Sequence, residues 1–104
     1  MNISRQVQEG RLSQGVDEAI AYNITSTPWG SSPTSIAVVA YDVTLGGRTD
    51  VSVTVLVGVA SAVGDVITLP RLQSLTADKT YRIEVKFVCS GNTFEAFFYV
   101  ESET

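Results

Sequence analysis

The sequence predicts an all-β fold, a Greek-key sandwich of six to seven short strands behind a polar N-terminal arm. Three observations carry that expectation. No segment sustains a helical period, and the three prolines and eight glycines fall at element ends. Apolar and polar residues alternate in short runs, most clearly from Tyr81 to Cys89 and from Phe94 to Val100. The stretch Gly64-Asp65-Val66-Ile67-Thr68-Leu69-Pro70, followed by Leu75 and Tyr81, reads as strand, corner and strand. A tyrosine at that distance from a leucine suits a tyrosine corner, whose hydroxyl bonds back to upstream backbone and locks a Greek-key crossing.

Residues 1–17 are polar and weakly periodic. They fit a short edge strand around Ile3–Val7, a turn of helix, or an arm that orders against a partner and is dispensable for folding. Residues 18–104 are assigned to the sandwich. In Ala19–Thr25, the side chains of Ile20, Tyr22 and Ile24 share one face. Ser26–Pro33 is a loop by its Pro, Gly and Ser content. Ser35–Val43 is nearly continuous apolar sequence, as in a central strand buried on both faces. Gly46-Gly47 marks a turn, and Val51, Val53 and Val55 alternate along the strand expected next. Asp65–Leu69 is a short strand stopped by Pro70, which has no N–H to donate to a ladder. Leu72 and Leu75 then cap the core. In the last hairpin Tyr81, Ile83, Val85, Phe87 and Cys89 face inward, opposite Arg82, Glu84, Lys86 and Val88. A tight turn at Ser90-Gly91-Asn92 leads into a strand with Phe94, Ala96, Phe98 and Val100 on one face and Glu95, Phe97 and Tyr99 on the other.

Composition narrows the function classes. A chain of 104 residues makes one domain, and its 44% hydrophobic content is ample for a core. No apolar run approaches the ~20 residues of a membrane helix. The net charge is −4, and Arg5, Arg11, Arg48, Arg71, Lys79, Arg82 and Lys86 are scattered, which excludes a reader of nucleic acid. There is no histidine, the commonest general base and metal ligand. The single cysteine, Cys89, precludes an internal disulfide and alternates onto the core face, where a thiol behaves as a small hydrophobe. The N-terminus lacks a basic-then-apolar signal peptide, so the expected place of synthesis and folding is the cytoplasm.

Candidate sites are few. Nothing beside Ser90 or Cys89 would activate a nucleophile. Asp17-Glu18 is an adjacent carboxylate pair, but lacks the spacing of a calcium loop, and Asp42, Asp50 and Asp65 read as solvated strand ends. No catalytic residue, metal or cofactor is expected. Trp29, in a Pro-Trp-Gly loop, either stacks on a ligand or partner or plugs the open end of the core. Val88, Phe97 and Tyr99 form an apolar stripe on the outer side of the last hairpin, suited to protein contact or to cover by the N-terminal arm.

Several segments together resemble a group of small tailed-phage and prophage structural proteins. They are Ser4-Arg5-Gln6, Glu9-Gly10-Arg11-Leu12-Ser13-Gln14, Asp17-Glu18, Thr25-Ser26-Thr27-Pro28-Trp29-Gly30-Ser31, Gly64–Pro70, and Leu75–Tyr81 with Glu84-Val85-Lys86-Phe87. The resemblance spans most of the chain and implies an Ig-like or fibronectin-III-like sandwich. It carries no catalytic motif. The function it implies is a non-enzymatic structural or accessory part of a phage particle, folded in the bacterial cytoplasm and then carried in the virion. The implied partners are other phage structural proteins or copies of the chain itself. The alternative is a binding module that recognises a cell-surface glycan during adsorption, with Trp29 in the contact.

Overall fold

The computed structural model describes residues 6–26, 30 and 32–103, with side chains from residue 12 onward. The chain is mostly strand. In order it forms β1 (Gln6–Gly15), β2 (Asn23–Thr25), β3 (Thr34–Asp42), β4 (Thr49–Asp50), the one-turn helix α1 (Ser52–Val55), β5 (Leu56–Val57), β6 (Ser61–Val63), β7 (Val66–Thr68), β8 (Arg71–Leu72), β9 (Thr80–Cys89) and β10 (Asn92–Glu103). A five-stranded sheet has the order β1-β10-β9-β3-β4, a three-stranded sheet the order β2-β7-β6, and β5 pairs with β8. The five-stranded sheet stays open, with β1 and β4 at its edges. The strand pieces outnumber the expected six to seven because the chain between β3 and β9 is broken into segments of two to four residues.

Three long strands dominate. β9 is antiparallel to β10 on one side and to β3 on the other. Its alternation is followed throughout: Tyr81, Ile83, Val85, Phe87 and Cys89 are buried, and the residues between them are half-buried or exposed. Ser90 and Gly91 both take positive φ (52° and 79°) in the two-residue turn that closes Cys89 onto Asn92. A primed turn of this kind matches the twist of the strands it joins, and Gly91 adopts it without a Cβ clash.

The N-terminal segment is a strand of the sheet. β1 runs parallel to β10, from Gln6 opposite Phe97 to Gly15 opposite Glu103. Gln14 anchors it: the side chain is fully buried, and Nε2 donates to the carbonyls of Leu72 (2.7 Å) and Glu18 (3.0 Å). The Gln14 Oε1 accepts from the Tyr22 hydroxyl at 2.8 Å. Burial, and secondarily the charge of Glu18, raise the Tyr22 pKa above its ordinary value, so the phenol keeps the proton it donates. A buried amide with these bonds made is tolerated, whereas a buried amide left unpaired would cost about 1–3 kcal/mol.

The strand expected through Val51, Val53 and Val55 is instead the helical turn α1. Alternation predicts all three valines on one face, but Val55 is buried while Val53 is 99% exposed. The turn is set by local polar bonds. Asp50 Oδ1 accepts from the Ser52 N–H (3.0 Å), the Val55 N–H donates to the Val51 carbonyl (3.0 Å), and Ser52 Oγ accepts from the Ala40 N–H (2.9 Å). Those bonds override the β-preference of valine, which is a weak, context-dependent term.

The corner closes as the spacing predicts. Tyr81 is buried, and its hydroxyl accepts from the Thr76 N–H at 2.9 Å. Buried Ser102 fastens the same loop, accepting from the Lys79 N–H (3.0 Å) and donating to the Thr76 carbonyl. Leu75 packs beneath. Tyr81→Phe keeps the ring and strands the Thr76 N–H. It should lower stability by about 1 kcal/mol in urea unfolding, and an unchanged midpoint would show that the hydroxyl contributes nothing.

One core joins the sheets. Ile24 and Ile67 of the three-stranded sheet, Leu72 of β8 and Val55 of α1 cluster with Ile83, Val85, Phe87, Phe98 and Val100 of the five-stranded sheet. Each large side chain so buried contributes about 1.5–3 kcal/mol. Gly30 packs tightly on this core, since a Cβ there would lie 2.8 Å from that of Cys89. Among the described residues no helix is long and apolar enough to cross a membrane.

Candidate functional site

The outer face of the five-stranded sheet carries the most organised set of side chains outside the core. Strand register builds it. Tyr99, Arg82 and Tyr41 stand opposite one another across β10, β9 and β3, and Phe97, Glu84 and Val39 form the adjacent row. Odd-numbered residues of β10 and even-numbered residues of β9 face outward because side chains alternate along a strand.

Arg82 is the centre of this cluster. Its guanidinium carbon lies 3.9 Å from the Phe97 ring centroid and 5.9 Å from that of Tyr99. Nε donates to Glu84 Oε2 at 2.7 Å, and a terminal nitrogen donates to the Tyr99 hydroxyl at 3.3 Å. The Phe97 and Tyr99 rings meet edge to face, 5.8 Å apart at 80°. Arg48, from beyond the turn at residues 43–47, reaches the same Glu84 oxygen at 3.3 Å and lies 5.7 Å from the Tyr41 ring. Two guanidiniums therefore share one carboxylate oxygen. Stacking a cation on these rings is worth about 0.5–2 kcal/mol and, with the ion pair, holds the aromatic surface in one arrangement.

A cleft of about 510 Å³ opens beside this cluster, between the turn that carries Thr44, Gly46 and Gly47 and the side chains of Arg48, Arg82 and Tyr99. A smaller hollow of about 130 Å³ lies along Arg48, Arg82, Glu84 and Phe97. Glu84, the carboxylate at the centre, is engaged by two arginines, and Glu95 also lines the smaller hollow. The arrangement suits contact with a partner through stacking and hydrogen bonds.

The stripe read from the sequence is divided. Phe97 and Tyr99 touch, but Val88 pairs with Thr93 and Thr34, and the row holding Lys86 and Glu95 lies between. β1 extends the sheet beside β10 and does not cross its face. Sequence reasoning missed Arg82, Glu84, Arg48 and Tyr41. The first two were within reach: counting back from the turn at Ser90-Gly91 places Arg82 opposite Tyr99 and Glu84 opposite Phe97. Arg48 and Tyr41 depend on the pairing of β3 with β9, which no local pattern specifies.

Other candidates have local work. Trp29 lies outside the described residues. Cys89 is buried in the core. Glu18 accepts from the Gly15 N–H at 2.6 Å. Asp42 pairs with Lys79 (3.4 Å) and accepts from Thr44; the Thr44 hydroxyl is the main cause of a pKa below the usual carboxylate value. Asp50 is lowered likewise, chiefly by the Ser52 N–H. Asp65 accepts from the Ser32 N–H at 3.1 Å. These aspartates stabilise turns by bonding nearby or facing backbone. No group of three or more Cys, Asp and Glu close enough to hold a metal ion occurs among the described residues.

No known protein-family model, curated protein or solved structure matches the chain.

Proposed function

We propose that the chain is an Ig-like Greek-key sandwich acting without catalysis, as a structural or accessory component of a phage or prophage particle that docks on another virion protein. Three features support the sandwich reading: the parallel pairing of the first strand with the last, the β1-β10-β9-β3-β4 order beside β2-β7-β6, and the Tyr81 corner. The particle context rests on the resemblance of the N-terminal segment, the Thr-Pro-Trp-Gly loop and the Gly64–Tyr81 stretch to small phage proteins. Assembly would take place in the bacterial cytoplasm, ahead of incorporation into the virion.

The single observation that carries a docking function is the Arg82 cluster. Interface energy concentrates in aromatic and arginine side chains that are held in place before the partner arrives. Phe97, Tyr99 and Arg82 are held so, on a rigid three-strand platform.

Particles purified from a strain that carries the gene should contain the chain, as read by mass spectrometry. Replacing the gene by one encoding Arg82→Ala with Phe97→Ala should reduce incorporation at least about tenfold, which corresponds to about 1.4 kcal/mol of lost binding. Thermal melting would establish that the variant folds. Absence of the wild-type chain from particles would sink the class of function. Normal incorporation of a folded double variant would move the contact to another face.

A further inference from the structure

The cleft beside the Arg82 cluster has a sign opposite to that of the chain. Acidic side chains outnumber basic ones 11 to 7 over the sequence. Yet among the described residues the cleft walls hold Arg48 and Arg82 and no carboxylate. The rest of the lining is mainly Thr44, Thr80 and Tyr99, which carry hydroxyls, and the turn at Gly46-Gly47. Next to the cleft two guanidiniums meet the single carboxylate of Glu84, so the three groups together keep one positive charge. Other carboxylates nearby have their own partners: Asp42 pairs with Lys79, and so are engaged Glu95 and Glu101, before Phe97 and after Tyr99 on β10. A guanidinium carries five N–H donors. The bonds to Glu84 and Tyr99 use two of those on Arg82, and Glu84 faces one nitrogen of Arg48. The Arg48 side chain is 57% exposed, which leaves it accessible to an incoming acceptor. A Cβ placed on Gly46 or Gly47 would meet nothing within 4 Å, so the turn does not close the mouth.

We propose that this cleft receives the carboxylate of an acidic side chain on the docking partner, an inference that rests on the docking reading of the Arg82 face. A carboxylate suits the site in charge and in shape. Its one negative charge cancels the one positive charge that remains, and the planar fork of a guanidinium matches its two oxygens. Glu84 displays that match within the chain, with one oxygen 2.7 Å from Arg82 Nε and 3.3 Å from an Arg48 nitrogen. A phosphate dianion would overfill the charge. The Gly46-Gly47 turn also leads into β4, not into a helix whose N-terminus would favour a phosphate. A protein segment fits better than an acidic saccharide. A sugar ring needs an open aromatic face, whereas Arg82 lies over Phe97 and Arg48 over Tyr41. Rings braced by arginines instead offer their edges to the apolar residues that flank an acid in a peptide.

Titration of the full chain with the blocked peptide Leu-Glu-Leu, followed by NMR of the arginine Nε–H groups and the backbone amides, tests the proposal. At about 0.01 M ionic strength, where charges act over about 30 Å, the peptide should shift Arg48, Arg82, Gly46 and Gly47 along a saturating curve. Its counterpart Leu-Gln-Leu should not. Arg48→Gln should weaken binding about tenfold. Lys86→Gln removes the same charge two rows away on the same face and should leave binding within about twofold. Sodium glucuronate, a sugar with one carboxylate, should bind about tenfold more weakly than the peptide. The two peptides on the wild-type chain decide alone if a variant does not fold. Equal shifts with Leu-Gln-Leu, shifts that never saturate, unchanged binding in a folded Arg48→Gln, or an equal loss in Lys86→Gln would overturn the proposal. Glucuronate binding as tightly as the peptide would overturn it in favour of an acidic saccharide. These readouts need no particle. A failed titration beside lost incorporation of the Arg82→Ala, Phe97→Ala chain would remove the carboxylate and leave the docking face. Saturable peptide binding beside normal incorporation of that chain would overturn the docking reading and the partner assignment with it.

Discussion

Deleting residues 1–17 is expected to yield a chain with no cooperative unfolding transition. A dispensable arm would leave stability untouched, but this segment supplies Leu12 to the core and the fully buried Gln14 to the network that joins β1 to the rest of the fold. Its loss opens the β10 ladder along one side. It also removes the Gln14 amide from the Leu72 carbonyl, which keeps the Ile20 N–H, and takes the acceptor from the half-buried Tyr22 hydroxyl. Small domains hold only about 5–15 kcal/mol in total. Circular dichroism during a urea titration would show a broad, non-cooperative change. Gln14→Leu in the full chain isolates the network, because it preserves volume and removes every bond, and should lower stability by about 2 kcal/mol or more. A truncated chain that melts as sharply as the full one would show that β1 is an accessory strand.

Phe98→Ala should reduce stability by about 3–5 kcal/mol, the range for removing a buried ring when the cavity cannot collapse. Phe98 is 2% exposed and pairs with Ile83 on β9. Its ring meets the Tyr22 ring edge to face at 5.6 Å, and Tyr22 in turn holds Gln14. The substitution therefore removes core volume and loosens the Gln14 network together. Phe98→Leu keeps much of the volume and should cost roughly half as much. Thermal and chemical unfolding would check both, and a loss under about 1 kcal/mol for alanine would mean that the core refills the space.

The candidate site was legible in proportion to how local its geometry is. The alternation of β9 and β10 and the turn at Ser90-Gly91 specify which residues face outward and which stand opposite. Phe97 and Tyr99 were visible as an apolar stripe for that reason. Val88 shared their face, but the stripe ignored the Lys86 and Glu95 row that separates it from them. Arg48 joins the cluster only because β3 pairs with β9 and the chain beyond the turn at 43–47 folds back over Glu84.

By itself the sequence determined the β character of the chain, the faces of its two longest strands, the tight final turn and the Tyr81 corner. These depend on period-two alternation, on glycine conformation and on one hydrogen bond between residues five positions apart. Tertiary structure alone decided the rest. A polar first segment became a strand because β10 offered a free edge and the Leu72 carbonyl a buried acceptor for Gln14. Three alternating valines wound into a helical turn because Asp50 and Ala40 bonded to Ser52. Arg82 became the centre of a surface because two rings of β10 and the Glu84 carboxylate converge on it, with Arg48 reaching the same carboxylate. The bonds from Gln14 to Leu72, from Ala40 to Ser52 and from Arg48 to Glu84 join residues far apart in the chain, and no local pattern encodes them.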